Sequence, residues 1–220
     1  EAAATTPVAK HGRLSVKGAD LVDSKGNKFQ LRGISTHGIN WDVGSPYVNK
    51  KAFKTLRDDW GVNAIRLAMY TEEYNGYCSG GSQAKLRKLV DKGVGYATDL
   101  GMYAIIDWHI LSDGNPNKNK SQAKKFFTTM AKKYKNNKNV IYEICNEPNG
   151  CGWKEIKSYA TDIIKTIRKY DKKAVIIVGT PTWSQLGTDG TSNEVADSPI
   201  KGYKNIMYSL HFYASEWAHN

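Results

Sequence analysis

Six short apolar segments, spaced by longer stretches of helical periodicity, constrain this chain more than any other feature. They are F-Q-L-R-G-I-S (29–35), A-I-R-L-A-M (64–69), Y-A-I-I-D-W-H (103–109), V-I-Y-E-I-C (140–145), A-V-I-I-V-G (174–179) and I-M-Y-S-L-H-F-Y (206–213). Such short, β-branched, nearly continuous apolar runs suit parallel strands covered on both faces. Between them, Leu86, Leu89, Val90, Gly93, Val94, Ala97 and Leu100 form one helical stripe over 83–100. Ile156, Ala160, Ile163, Ile164 and Ile167 do the same over 154–170. A helix over 121–135 is predicted to bury Phe126, Phe127, Met130 and Tyr134, with Ser121 capping its start. Another amphipathic stretch covers about 49–60, and 183–205 holds only a short possible helix. Ahead of these units, L-S-V-K-G-A-D-L-V-D-S-K-G-N-K-F reads as a hairpin split by D-S-K-G-N.

Repeated strand–helix units imply a parallel sheet, either open and doubly wound or closed into a barrel. No G-x-G-x-x-G follows the first strand, so the dinucleotide-binding open sheet loses support. Polar residues recur at the strand ends instead: His37, Tyr70, His109, Glu147, Trp183 and His211. A ring of functional groups at the carboxyl ends is what a (β/α)8 TIM barrel presents. The 220 residues supply about six of the eight units, and such a barrel runs to about 250 residues or more. The expected architecture is one incomplete catalytic barrel domain over 1–220. It has an N-terminal hairpin at about 12–30 and units one to six at about 29–220, with two units absent from the C-terminal end.

The formal charge of +11 permits nucleic-acid binding. The lysines, however, cluster in N-P-N-K-N-K-S-Q-A-K-K and A-K-K-Y-K-N-N-K-N around one helix, without interleaved aromatics. They read as a solvated helix face, and no nucleic-acid partner is expected. No apolar run reaches the roughly 18 residues of a spanning helix, so no membrane role is expected either. Cys78, Cys145 and Cys151 form no C-x-x-C pair. Cys145 reads as a small buried apolar residue, whereas Cys78 and Cys151 fall in loops and are able to pair if close enough. The opening E-A-A-A-T-T-P-V-A-K reads as a processed terminus or an expression scar, compatible with secretion.

Strand alternation sorts the candidate chemistry. In N-A-I-R-L-A-M-Y, Ile65 and Leu67 face the helices, so Arg66 points inward with Ala64 and Ala68. A buried guanidinium keeps its proton and needs carboxylate or carbonyl partners. It serves either as a structural ion pair with a residue such as Glu143 or as a group holding an active-site carboxylate ionised; its place near the strand end favours the second. Asp107 precedes His109 by two residues on one face, and His211 and Tyr213 form a similar pair. Three strand-end histidines, His37, His109 and His211, raise the question of a metal. H-x-H and H-E-x-x-H are absent, and the accompanying amide and aromatic groups suit sugar contacts, so neither metal nor cofactor is expected. In V-I-Y-E-I-C-N-E-P-N-G, Tyr142 and Ile144 should pack on helices, while Glu143 and Cys145 face the interior. Pro148 pushes Glu147 out of the helical region and ends the strand, which lets Asn146 and Glu147 both reach a substrate.

Six motifs in order, R-G-I-S-T-H-G-I-N-W, N-A-I-R-L-A-M-Y, I-I-D-W-H, Y-E-I-C-N-E-P, V-G-T-P-T-W-S-Q and S-L-H-F-Y-A, resemble those of family 5 glycoside hydrolases, especially bacterial endo-β-1,4-glucanases. The resemblance runs from about residue 12 and implies a secreted, extracellular bacterial cellulase with a (β/α)8 barrel and a retaining double-displacement mechanism. It implies Glu147 as general acid/base and Asn146 as partner of the sugar 2-hydroxyl. Arg66 and Tyr213 would order the nucleophilic carboxylate, and His109 and His211 would hold the sugar at the cleavage point. His37, Asn40, Trp41 and Tyr70 would contact the non-reducing side, with Trp183 a stacking platform on the leaving-group side.

One departure is decisive. The resemblance places the nucleophilic glutamate after a seventh strand in a pattern like E-W-G, and no such position occurs here. Glu216 has the neighbouring Trp217 but stands too close to Tyr213, with no helix between them. The expectation is therefore a β-1,4-glucan or cello-oligosaccharide hydrolase whose nucleophile arrives on a C-terminal remainder of the same enzyme, this chain being inactive alone. The alternatives are the same chemistry on mannan, xylan or mixed-linkage glucan, or a β-glucan-binding fragment without catalysis.

Overall fold

The computed structural model describes residues 5–187 and 193–215. Six parallel strands form one sheet in chain order: β3 (Gly33–Ser35), β4 (Ala64–Tyr70), β5 (Tyr103–His109), β6 (Val140–Glu143), β7 (Ile176–Val178) and β8 (Ile206–Tyr208). Each pairs only with its neighbours in sequence, as consecutive βα units require. Three crossover helices, α2 (Lys50–Trp60), α3 (Gln83–Asp99) and α4 (Lys120–Tyr134), follow β3, β4 and β5, and α5 (Trp153–Arg168) follows β6. Between β7 and β8 the described residues hold only a turn at Pro181–Ser184 and one at Glu194–Asp197.

Local chemistry sets the helix ends. Asn49 and Ser82 accept backbone N–H bonds from Ala52 and Lys85 at the starts of α2 and α3. Gly61 closes α2 in the left-handed region, φ 68°. Ser121 does not cap α4. Asn115 bonds the N–H of Asn117 in a 3-10 turn (Pro116–Asn119), and α4 grows directly out of that turn with Ser121 already inside it.

The strands are shorter than their apolar runs, because pairing stops where loops diverge. The first covers only Gly33–Ser35 of the predicted 29–35, and the last only Ile206–Tyr208 of 206–213. The hairpin pairs β1 (Ser15–Lys17) with β2 (Asp20–Val22), so its turn lies at Gly18–Ala19 rather than D-S-K-G-N. The latter stretch makes a second turn, in which Asp23 accepts from the N–H groups of Lys25 and Asn27. A short helix, α1 (Pro7–His11), precedes the hairpin.

Alternation divides the core in two. Ile65, Leu67 and Met69, with Ala104, Ile106 and Trp108, pack outward against Phe126, Phe127, Ile156, Ile163 and Ile164 of the helices. Inward, Ala64, Tyr103, Ile105, Ile141 and Val175 meet Val8 of α1 and Leu14, which close the amino-terminal end. Tyr142 and Ile144 take the helix side as expected; Cys145, expected inward, belongs to the same outer cluster. The three thiols are unbridged, and burial pushes Cys78 up to about 12. Among the described residues no helix is long and apolar enough to cross a membrane.

Among the described residues β3 and β8 are the edges of the sheet. All three residues of β3 are exposed, Ile34 at 43%. Leu210 and Phe212, after β8, are exposed by more than half. Unpaired edges with apolar flanks template association. Residues 1–220 produced by themselves are expected to self-associate in light scattering. A sharp monomer across a hundredfold concentration range would contradict this.

Candidate active site

The inward-facing layer above the apolar plug is ionic. Register places Asp107 of β5 beside Glu143 of β6 and Ala68 of β4, with Arg66 one step lower. Arg66 forks onto Glu143, Nε to Oε1 at 2.8 Å and Nη2 to Oε2 at 2.7 Å. The same Nη2 reaches Asn146 Oδ1 at 2.7 Å and Asp107 Oδ2 at 3.1 Å. Both carboxylates are essentially buried, and they hold the guanidinium firmly protonated against its own desolvation. Arg66 thus makes the structural pair with Glu143 that its burial requires and also touches Asn146. Asp107 Oδ2 lies 2.5 Å from His109 Nδ1, which fixes that ring at the end of β5.

The N-E-P stretch leaves β6 just above this layer. Asn146 is buried; it donates to the Ile110 carbonyl at 3.0 Å while accepting from Arg66. Glu147 is partly exposed and lines a cleft of about 730 Å³ with Leu111, Trp183, Gln185, His211 and Tyr213. His211 Nδ1 lies 3.3 Å from Glu147 Oε1. Trp183 is 46% exposed and Tyr213 67%.

A second group extends away from this cleft along the ends of β3, β4 and β5. His37 meets Trp41 edge-on at 5.3 Å, Trp41 stacks on Tyr70 at 4.4 Å, and Tyr70 meets His109 at 4.3 Å. Burial, seconded by Glu73, Asp107 and Glu147, raises the Tyr70 hydroxyl pKa. Asn40, predicted among the sugar contacts, is buried instead. Its amide donates to the Tyr74 carbonyl and accepts from the Tyr70 N–H, so it braces two loops and carries Trp41, whose Nε1 bonds the same carbonyl.

The backbone that presents Trp183 is strained. Thr182, Trp183 and Ser184 all have positive φ, 58°, 54° and 61°. Non-glycine residues there cost about 1–2 kcal/mol each, and nothing in the letters T-W-S announces it. Glu216 lies outside the described residues. Among the described residues no group of three His, Cys, Asp or Glu could hold a metal ion.

A cleft along the strand ends, walled by rings and hydrogen-bonding groups beside a partly exposed carboxylate, stands where TIM-barrel enzymes carry their active sites. Comparison with known proteins agrees. The profile of Cellulase (glycosyl hydrolase family 5) matches residues 22–220. Endoglucanase A of Butyrivibrio fibrisolvens is 51% identical over 93% of this chain and 46% of its own. An endoglucanase of Clostridium saccharobutylicum is 53% identical over 96% of this chain and 45% of its own. The catalytic domain of a Thermobifida fusca endoglucanase, solved with cellotetraose, superposes with a TM-score of 0.86 at 43% identity, covering 96% of this chain and 68% of that one. The chain belongs to glycosyl hydrolase family 5, and its sheet is part of that family's TIM barrel. It spans about half the length of the curated relatives it matches.

Removing one partner of a buried pair leaves uncompensated charge, which costs about 3–5 kcal/mol. Arg66→Met is expected to lose that much stability in urea unfolding of the complete enzyme. A loss under about 1 kcal/mol would show that Arg66 does not hold this layer together.

Proposed function

We propose that this chain carries the acid/base half of a retaining endo-β-1,4-glucanase that cleaves β-glucan outside the cell. The observation that supports it best is Glu147, held at the strand end between a buried Asn146 and His211, facing the cleft that Trp183 flanks. Glu147 delivers a proton to the glycosidic oxygen as the bond to the anomeric carbon breaks. A second carboxylate takes that carbon as a glycosyl ester, and Glu147 then draws a proton from the water that releases it. In retaining enzymes the two carboxyl groups stand about 5 Å apart. Glu143 does not suit the second role, because Arg66 occupies both its oxygens.

The second carboxylate, on this reading, comes from a C-terminal remainder of the same enzyme. Two observations favour it: the sheet has two open edges, and the chain covers 68% of a solved catalytic domain of the family. Asn146 contacts the sugar 2-hydroxyl, while Arg66 and Tyr213 order the nucleophile. His109 and His211 grip the sugar at the cleavage point. The rings of His37, Trp41 and Tyr70 bind the non-reducing side and Trp183 the leaving-group side, since sugar rings offer apolar C–H faces to such platforms. Cello-oligosaccharides are favoured over other glycans because a relative of 43% identity is solved with cellotetraose.

Three measurements test the proposal. Residues 1–220 alone should not hydrolyse carboxymethylcellulose, and full activity there would sink the two-part reading. In the complete enzyme, Glu147→Gln should lower kcat/KM on cellopentaose by about 10²–10⁴; binding of cellohexaose without any cleavage by the unaltered enzyme would instead favour a binding protein. Rates on a panel of mannan, xylan, mixed-linkage glucan and cellulose should favour β-1,4-glucan, and a strong preference for mannan would overturn the substrate.

A further inference from the structure

The left-handed turn at 182–184 grips the backbone on both sides of Glu147. The Ser184 hydroxyl donates to the Asn146 carbonyl at 2.7 Å, one residue before the carboxylate. The Trp183 N–H donates to the Pro148 carbonyl at 2.9 Å, one residue after it. The Ser184 carbonyl accepts the His211 N–H at 2.7 Å, and His211 is the ring that meets Glu147 Oε1. Ser184 is fully buried, and its hydroxyl also accepts the Thr180 N–H at 3.2 Å. The turn is itself anchored: the Thr180 hydroxyl bonds the Ser209 carbonyl and accepts the Leu186 N–H. Gly179 lies so close to β6 that a Cβ there would stand 2.0 Å from the Cys145 carbonyl. The ends of β6, β7 and β8 therefore meet at one serine. Strained backbone of this kind persists only where surrounding contacts over-determine it, and it concentrates at functional sites.

We infer that Ser184 is a positioning residue for the proposed reaction: it aims the Glu147 carboxyl and the His211 ring at the same point of the cleft. Neither its hydroxyl nor its carbonyl reaches the cleft, so it acts through those two residues. The inference rests on the reading of Glu147 as the proton donor. A misaimed acid penalises substrates whose leaving group needs protonation and spares those whose leaving group departs unaided. That contrast separates positioning from a general loss of structure, which lowers both rates together.

The test compares kcat/KM on cellopentaose and on 2,4-dinitrophenyl β-cellobioside in the complete enzyme. Ser184→Ala and Ser184→Gly both remove the hydroxyl. The glycine also relieves the positive φ, so it folds where alanine is strained. Each variant is expected to lose about tenfold or more on cellopentaose and less than about twofold on the activated glycoside. Equal losses on both substrates, or no loss on either, would overturn the role. Glu147→Gln is measured alongside. If it keeps full activity on cellopentaose, the acid reading fails and takes this inference with it; if it shows the selective loss while the Ser184 variants do not, only the inference fails.

Discussion

The ionic layer above the apolar plug of this sheet depends on one guanidinium. Arg66 Nη2 faces three acceptors at once, on β5, on β6 and in the N-E-P turn. Arginine cannot shed its proton to escape burial, so the layer survives only if carboxylates surround it. Its planar fork also has direction: a bidentate contact with Glu143 fixes where the remaining N–H of Nη2 points, and that is at Asn146. The residue after Asn146 is Glu147. The charge that holds the interior together thereby anchors the residue that precedes the partly exposed carboxylate.

The same layer explains why the two groups of side chains at the strand ends lie where they do. Asp107 satisfies Arg66 with one oxygen and shares that oxygen with His109, so the ring at the end of β5 is locked by the arginine on β4. His109 in turn begins the row of rings through Tyr70 and Trp41 to His37. Buried ion pairs are weak arguments for stability, because desolvation opposes them. Here the pairs give orientation: a cluster of hydrogen bonds with few alternatives, at the point where loops would otherwise wander.

Much of this was legible in the sequence. Period-two alternation put Arg66 and Glu143 inside and Ile65, Leu67 and Tyr142 outside, and the parallel six-strand order followed from apolar runs spaced by amphipathic stripes. Pairing limits were not legible, because apolar runs continue past the last ladder bond, as in 206–213. Nor was Asn40, whose type suits either sugar or backbone and whose burial depends on a loop many residues away. The left-handed run at Thr182, Trp183 and Ser184 had no signal at all, since those residues ordinarily avoid positive φ. Local propensity was overridden there by contacts from β6 and β8, which only the assembled fold brings within reach.

That override bears on why the site stands at the open side of the sheet. Glu147 follows Asn146, which Arg66 holds, and its carboxylate is met by His211, which follows β8. The flank beyond β8 and the flank before β3 are the two unpaired edges. Closing a barrel requires strands that bridge exactly those two edges, and each bridging strand ends in the same ring as Tyr70, His109 and Glu147. On the proposed reading, the segment that covers the exposed Ile34 therefore also delivers a side chain opposite Glu147. Barrel closure and completion of the catalytic pair are then one structural event, because the geometry that stabilises the edges is the geometry that places the second carboxylate.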